Sequence, residues 1–147
     1  MNKRKLSVLL TENNSAHADF FVRSFKKVSS NFDLKTFASD THLIGFFKSE
    51  HSLPDLVFLD PDLGGIECLK FIKALYPSNN FHVIMLCSDP PQLHADVCYR
   101  LGATAYIQKT NQLKLMSKLL KLCVNDLKNS PIQEDFVLNK RLERGNK

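Results

Sequence analysis

The chain has 147 residues, a net charge of +5, 44% apolar and 24% charged residues, the balance of a single globular domain with enough chain for one core. No apolar run approaches the ~20 residues that cross a bilayer. The basic start, Met1 to Lys5, is followed only by Leu6 to Leu10 before Glu12, too short an apolar stretch for a secretory leader, so the expectation is a cytoplasmic protein with no membrane partner.

Leu6 to Leu10 reads as the first strand, and Asn13 to Ser15 as a polar turn with N-cap residues. Ala18, Phe21, Val22, Phe25 and Val28 recur at helical steps, which predicts an amphipathic helix over Ala16 to Val28. Phe32 to Phe37 alternates as a strand near a sheet edge. A helix capped by Ser39 or Asp40 runs to about Ser49. Asp55 to Asp60 is the most apolar strand, and Gly64-Gly65 breaks the chain after it. Glu67 to Leu75 is a third helix, closed by Pro77 and the pair Asn79-Asn80. His82 to Cys87 is a fourth strand. Asp89-Pro90-Pro91 starts a helix that ends at Leu101, with Gly102 as its C-cap. Ala103 to Ile107 is a fifth strand. Thr110 or Asn111 caps a last helix whose inward stripe is Leu113, Met116, Leu120, Cys123 and Leu127.

Strands alternating with helices imply an α/β fold with right-handed crossovers. The simplest architecture is a flavodoxin-like, doubly wound, five-stranded parallel sheet of order 2-1-3-4-5 with five helices. Residues 1–128 form this domain. Residues 129–147 hold Pro131, many charges and the apolar cluster Phe136-Val137-Leu138; they are too short for a second domain and read as an extension, helical from Glu134 to Arg144.

Ligands bind at the carboxyl ends of the strands in such sheets. Each of four apolar runs ends there on a residue with chemistry: Thr11-Glu12-Asn13, Asp60, Cys87-Ser88 and Gln108-Lys109. A carboxylate such as Asp60 can accept a phosphoryl group as a mixed anhydride. That transfer needs charge neutralisation more than acid or base. Lys109 can place a positive charge on the phosphoryl oxygens, and Glu12, Asp60 and a donor at Asp62 can hold Mg2+, which binds few protein oxygens and keeps its waters.

With those residues in place, the chain resembles the receiver domain of two-component response regulators over Lys5 to Leu127. The resemblance is carried by Pro54 to Gly65 around Asp60, by Leu101 to Lys109, and more weakly by Val8 to Asn14. It implies that Asp60 is the phosphoacceptor, Lys109 the phosphoryl contact, Tyr106 the switch aromatic and Glu12 the first of the paired acids, binding metal mainly through water. It also implies an output face made by helix four, strand five and helix five. The partners implied are a histidine kinase or phosphotransfer protein and a downstream protein. The chain would be a monomer or weak dimer, an acceptor rather than an enzyme, lacking an output domain.

The chain departs from the pattern in four places. The second acid of the metal set is Asn13, uncharged, which weakens metal binding. The strand-four hydroxyl is Cys87, a weak donor, while the adjacent Ser88 should face the other side of the sheet. The proline after the lysine is Thr110; a cis bond before a non-proline costs about 3 kcal/mol, so a trans Lys109-Thr110 bond is expected, with the loop and Lys109 displaced. Gly64 replaces a proline and should loosen the loop after Asp60. Asn13, Cys87 and Thr110 point to an alternative: a pseudo-receiver that binds partners without phosphorylation.

A flavodoxin-like cofactor binder is disfavoured, because Thr11 to Ser15 carries a negative charge and no glycine to cradle phosphate. Direct nucleic-acid binding is not expected: Lys114, Lys118 and Lys121 read as a solvated helix face, and the extension cannot hold a helix-turn-helix domain. Cys68, Cys87, Cys98 and Cys123 read as small buried hydrophobes, and neither they nor the five histidines show metal-ligand spacing.

Overall fold

The computed structural model describes residues 4–49, 52–78 and 80–145; Met1 to Lys3 of the basic start, Asn79 of the polar pair and the last two residues of the extension lie outside them. The strands are β1 (Leu6–Thr11), β2 (Phe32–Phe37), β3 (Leu56–Leu59), β4 (His82–Cys87) and β5 (Ala105–Gln108). They form one sheet of order β2-β1-β3-β4-β5, parallel at every pairing. This is the flavodoxin-like order expected from the sequence. Between the strands run α1 (Ser15–Lys26), α2 (Asp40–Lys48), α3 (Gly65–Leu75) and α4 (Pro91–Arg100), and α5 (Leu113–Asn125) follows β5.

The period-2 geometry of the strands divides the apolar residues into two cores. Leu9, Val57, Leu59, Val83, Met85 and Tyr106 face α2, α3 and α4, where Leu43, Leu69, Ile72 and Cys98 meet them. Val8, Leu10, Phe58, Ile84, Leu86 and Ile107 face α1 and α5, where Phe21, Phe25, Met116 and Leu120 meet them. Both faces of β3 are sealed, so all four of its residues are buried. The outer strand β2 is half exposed.

The helix count differs from expectation: the extension adds α6 (Gln133–Phe136) and α7 (Leu138–Glu143). The continuous helix expected over Glu134 to Arg144 is broken at Val137, whose backbone is extended because it bridges Tyr106 of β5 in parallel fashion. Asn139 completes the contact. Its Oδ1 accepts from the Gln108 N–H at 2.8 Å and its Nδ2 donates to the Gln108 carbonyl at 3.0 Å. An edge strand that would expose its backbone to water or to another chain is thereby covered. Phe136 is 2% exposed and packs edge-on against Tyr99 of α4 with ring centroids 5.3 Å apart. The extension therefore lies over part of the face formed by α4, β5 and α5.

Among the described residues, no helix is long and apolar enough to cross a membrane.

Truncating the buried Phe136 to alanine leaves a cavity between the extension and β5, and the expected loss is about 3–5 kcal/mol. Urea denaturation measures it. A loss below about 0.5 kcal/mol, the range of ordinary surface substitutions, would contradict a docked extension.

Candidate functional site

Asp60 follows β3 directly, and its backbone is fixed from both sides. Its N–H donates to Thr11 Oγ1 at 3.0 Å. Its carbonyl accepts from Leu63 N at 2.9 Å and Gly65 N at 3.0 Å, closing the turn that leads into α3. A Cβ on Gly65 would stand 2.6 Å from that carbonyl oxygen, so glycine is what lets α3 start against Asp60. At Gly64 the chain is left-handed, with φ +86°, and a Cβ there would strike the Asp40 carboxylate. The left-handed residue joins the short 3-10 turn Pro61–Leu63 to α3, and the backbone hydrogen bonds to the Asp60 carbonyl hold the turn closed.

The Asp60 carboxylate is nearly buried, and the residue is 6% exposed. Its Oδ1 accepts from the Asp62 N–H at 2.8 Å. Its Oδ2 meets Lys109 Nζ at 2.8 Å, and the same ammonium lies 3.4 Å from Glu12 Oε1. Burial works against the Lys109 charge, but the hydrogen bond to Asp60 and the charges of Asp60 and Glu12 outweigh it. Its pKa is therefore held above the ordinary lysine value.

The described residues contain no cis peptide bond, so Lys109-Thr110 is trans as expected. The Lys109 N–H donates to the Cys87 carbonyl at 2.8 Å, which keeps it in register with β4, and its side chain reaches Asp60. The loop departs only after that bond, and Gln112, rather than Thr110 or Asn111, is the residue that precedes α5.

Cys87 Sγ, Asp60 and Asp62 offer ligand atoms all within 4.8 Å of one another. Glu12 is not in that group. Lys109 draws one of its oxygens, and the other accepts from Asn14 N at 3.3 Å. Asn13 is exposed in the loop after β1. Oxygen donors from Asp60 and Asp62, with Glu12 adding negative charge and Lys109 supplying the one cation among them, suit a hard divalent ion such as Mg2+. The thiol is a poor ligand for that ion.

Cys87 takes the Asp89 N–H on its sulfur at 3.4 Å. Burial raises its pKa, partly offset by hydrogen bonds from Tyr106 and Asp89. Ser88 lines the opposite side of the sheet with Leu86, as the strand alternation predicts. Tyr106 is fully buried, with its hydroxyl donating to the Asp89 carbonyl at 3.4 Å. Burial and the neighbouring Cys87 push that phenol far above its ordinary pKa.

The sequence places Thr11 at the carboxyl edge but assigns it no role; the fold makes it the acceptor for the Asp60 N–H. Its signal was position: a hydroxyl at the end of an otherwise apolar strand beside the strand that ends in Asp60. Sequence reading also found no metal-ligand spacing for cysteine and histidine, whereas the fold gathers Cys87, Asp89 and His94.

Neither a known family pattern nor a curated protein matches the sequence. Solved structures do match its fold. A phosphorylated cyanobacterial phytochrome response regulator, RcpA, is 20% identical with TM-score 0.72, and the alignment covers 84% of this chain and 99% of that one. A response regulator of red light signalling in R. palustris is 16% identical with TM-score 0.73, covering 86% and 96%. The Mn2+-bound response regulator Rcp1 is 21% identical with TM-score 0.67, covering 79% and 89%. The chain has the receiver-domain fold.

Two outcomes test this geometry. Thr11→Val removes the acceptor of the buried Asp60 N–H, and urea denaturation should show a loss of about 1–3 kcal/mol; no loss would mean that another acceptor serves Asp60. The Lys109 pair is fully formed below lysine's unfolded pKa of about 10.4 and is lost as pH rises through the higher folded value. The stability difference between the parent chain and Lys109→Met should therefore hold from pH 7 to about 10 and shrink above that. A difference that stays constant to pH 11 would contradict the raised pKa.

Proposed function

We propose that the protein is a receiver in a phosphorelay, accepting a phosphoryl group on Asp60 from a histidine kinase or phosphotransfer protein and signalling by protein contact. The observation that carries this reading is the pairing of a nearly buried Asp60 carboxylate with Lys109 at 2.8 Å, at the carboxyl edge of the sheet.

In the transfer, a carboxylate oxygen of Asp60 attacks phosphorus as the donor's bond to phosphorus breaks, leaving an acyl phosphate. Lys109 leaves its carboxylate partner and follows the charge onto a phosphoryl oxygen. Glu12 stays beside Lys109 and keeps it protonated. Asp60 and Asp62 are the residues that would hold Mg2+, which when bound neutralises phosphoryl oxygens; Asn13 in place of an acid leaves that site with less charge. Support for a divalent cation also comes from the Mn2+-bound neighbour, and support for phosphorylation from the phosphorylated one.

Cys87, next to this carboxylate, offers only a weak hydrogen bond to a phosphoryl oxygen. Tyr106 is the group through which a change at Cys87 and Asp89 would reach β5 and the extension. Because the extension covers the β5 edge, a downstream protein meets α4 and the extension together, rather than a bare α4-β5-α5 face. The chain acts as an acceptor, not a turnover enzyme, in the cytoplasm, as a monomer or weak dimer without direct nucleic-acid contact.

Intact-mass analysis after incubation with acetyl phosphate and Mg2+ tests this reading. One phosphoryl adduct per chain is expected, absent in Asp60→Asn and absent without the cation. No adduct on the parent chain at saturating Mg2+ would overturn it in favour of a pseudo-receiver, a reading that Asn13, Cys87 and Thr110 support.

A further inference from the structure

Next to the Asp60 carboxylate lies a second gathering of donors, with two members that phosphoryl transfer does not use. Cys87 Sγ, a carboxylate oxygen of Asp89 and a ring nitrogen of His94 all lie within 4.8 Å of one another. They come from the last residue of β4, the loop behind it and the first turns of α4. We propose that Cys87, Asp89 and His94 form a binding site for a thiophilic divalent cation of the zinc class, with the fourth position open to water.

The donor chemistry selects the ion. One sulfur, one imidazole nitrogen and one carboxylate oxygen suit Zn2+ and disfavour Mg2+, which takes oxygen alone. The geometry is already close. His94 Nε2 and Asp89 Oδ2 are 3.3 Å apart. A tetrahedral ion with both ligands at about 2.0–2.1 Å sets them about 3.3–3.4 Å apart, and a sulfur at about 2.3 Å stands about 3.6 Å from each. Only the sulfur edges have to contract, and by no more than about 1.2 Å.

The scaffold is stiff where the site needs it. Pro90 and Pro91 follow Asp89 and restrict the backbone into α4. The Asp89 backbone is held at its N–H by Cys87 and at its carbonyl by Tyr106. His94 and Asp89 are partly open to solvent, with side chains 25% and 38% exposed, while Cys87 is buried at the floor. An ion therefore enters from the loop side and meets sulfur last. A plain His94–Asp89 ion pair would need no sulfur; the thiol within the same cluster is what points to a metal.

On binding, the ion takes the place of the thiol proton, which passes to solvent as the metal–sulfur bond forms. The same sulfur borders Asp60 and Asp62, so a filled site would pin the β4–α4 loop and fix Cys87 away from a phosphoryl group. Zinc would thus bear on the neighbouring carboxylate without needing Asp60 to accept phosphate.

The test is titration of the 147-residue chain with Zn2+ against a chromophoric zinc indicator, with Co2+ as spectroscopic probe. One zinc per chain is expected, together with a thiolate-to-cobalt charge-transfer band. Both Cys87→Ser and His94→Gln should weaken zinc by about 100-fold or more, at least what loss of an outer-shell partner costs, and Cys87→Ser should abolish the band. Asp62→Asn should retain zinc binding, which separates this site from the oxygen donors beside Asp60. His94 lies partly at the surface, so a urea transition of His94→Gln matching the parent shows an intact fold, and this variant decides if Cys87→Ser fails to fold. No zinc bound at equimolar concentration, binding that survives His94→Gln unchanged, or a cobalt complex without the thiolate band would each overturn the proposal.

Discussion

A carboxylate almost sealed from water needs a cation, and Asp60 has Lys109. The rest of the carboxyl edge is arranged around that requirement. Removing one partner of such a pair leaves an uncompensated buried charge, which costs far more than the intact pair contributes. Lys109 can reach Asp60 only because β4 lies between β3 and β5 in the sheet and because its own N–H is tied to the Cys87 carbonyl. Asp60 can present its carboxylate only because Thr11 and Gly65 fix its backbone. The pair is thus the point at which β1, β3, β4 and β5 are coupled chemically as well as through the ladder.

The balance of charge at this edge distinguishes it from a closed salt bridge. Glu12 and Asp60 both lean on the one ammonium, and Asp62 adds a further carboxylate close by. The surplus is negative, and it is oxygen-rich towards Asp62. A divalent cation would relieve it. On the proposed function, phosphoryl acceptance would consist of moving Lys109 from a carboxylate oxygen to a phosphoryl oxygen, a small displacement in a pre-arranged field.

Much of this was legible from the residues. The buried runs Leu56 to Leu59 and Val83 to Leu86 read as strands of a parallel sheet, whose polar ends converge at one edge. The trans bond before Thr110 followed from the energetics of the amide alone. What could not be read depended on long-range geometry. Phe136-Val137-Leu138 was visible as an apolar cluster, but its pairing with β5 spans residues far apart in sequence and breaks the helix that local periodicity suggested. The ion pair of Glu12 with Lys109 likewise joins residues far apart in sequence. The hydrogen bond that ties the Lys109 N–H to the Cys87 carbonyl joins two strands, so local sequence could not reveal it. Cys87, Asp89 and His94 lie at a spacing no metal motif uses and meet only because the chain turns sharply between β4 and α4.

The central claim is that Asp60, Lys109 and Asp62 form a pre-arranged phosphoryl site. A crystal structure of the protein grown with Mg2+ and beryllium fluoride tests it most directly, because that anion adds to a carboxylate as a phosphoryl group would. The account predicts trifluoroberyllate on an Asp60 oxygen, Lys109 Nζ moved onto a fluorine, and the cation held by Asp60 and Asp62. A structure in which Asp60 carries no adduct and Lys109 still pairs with its Oδ2 would contradict it.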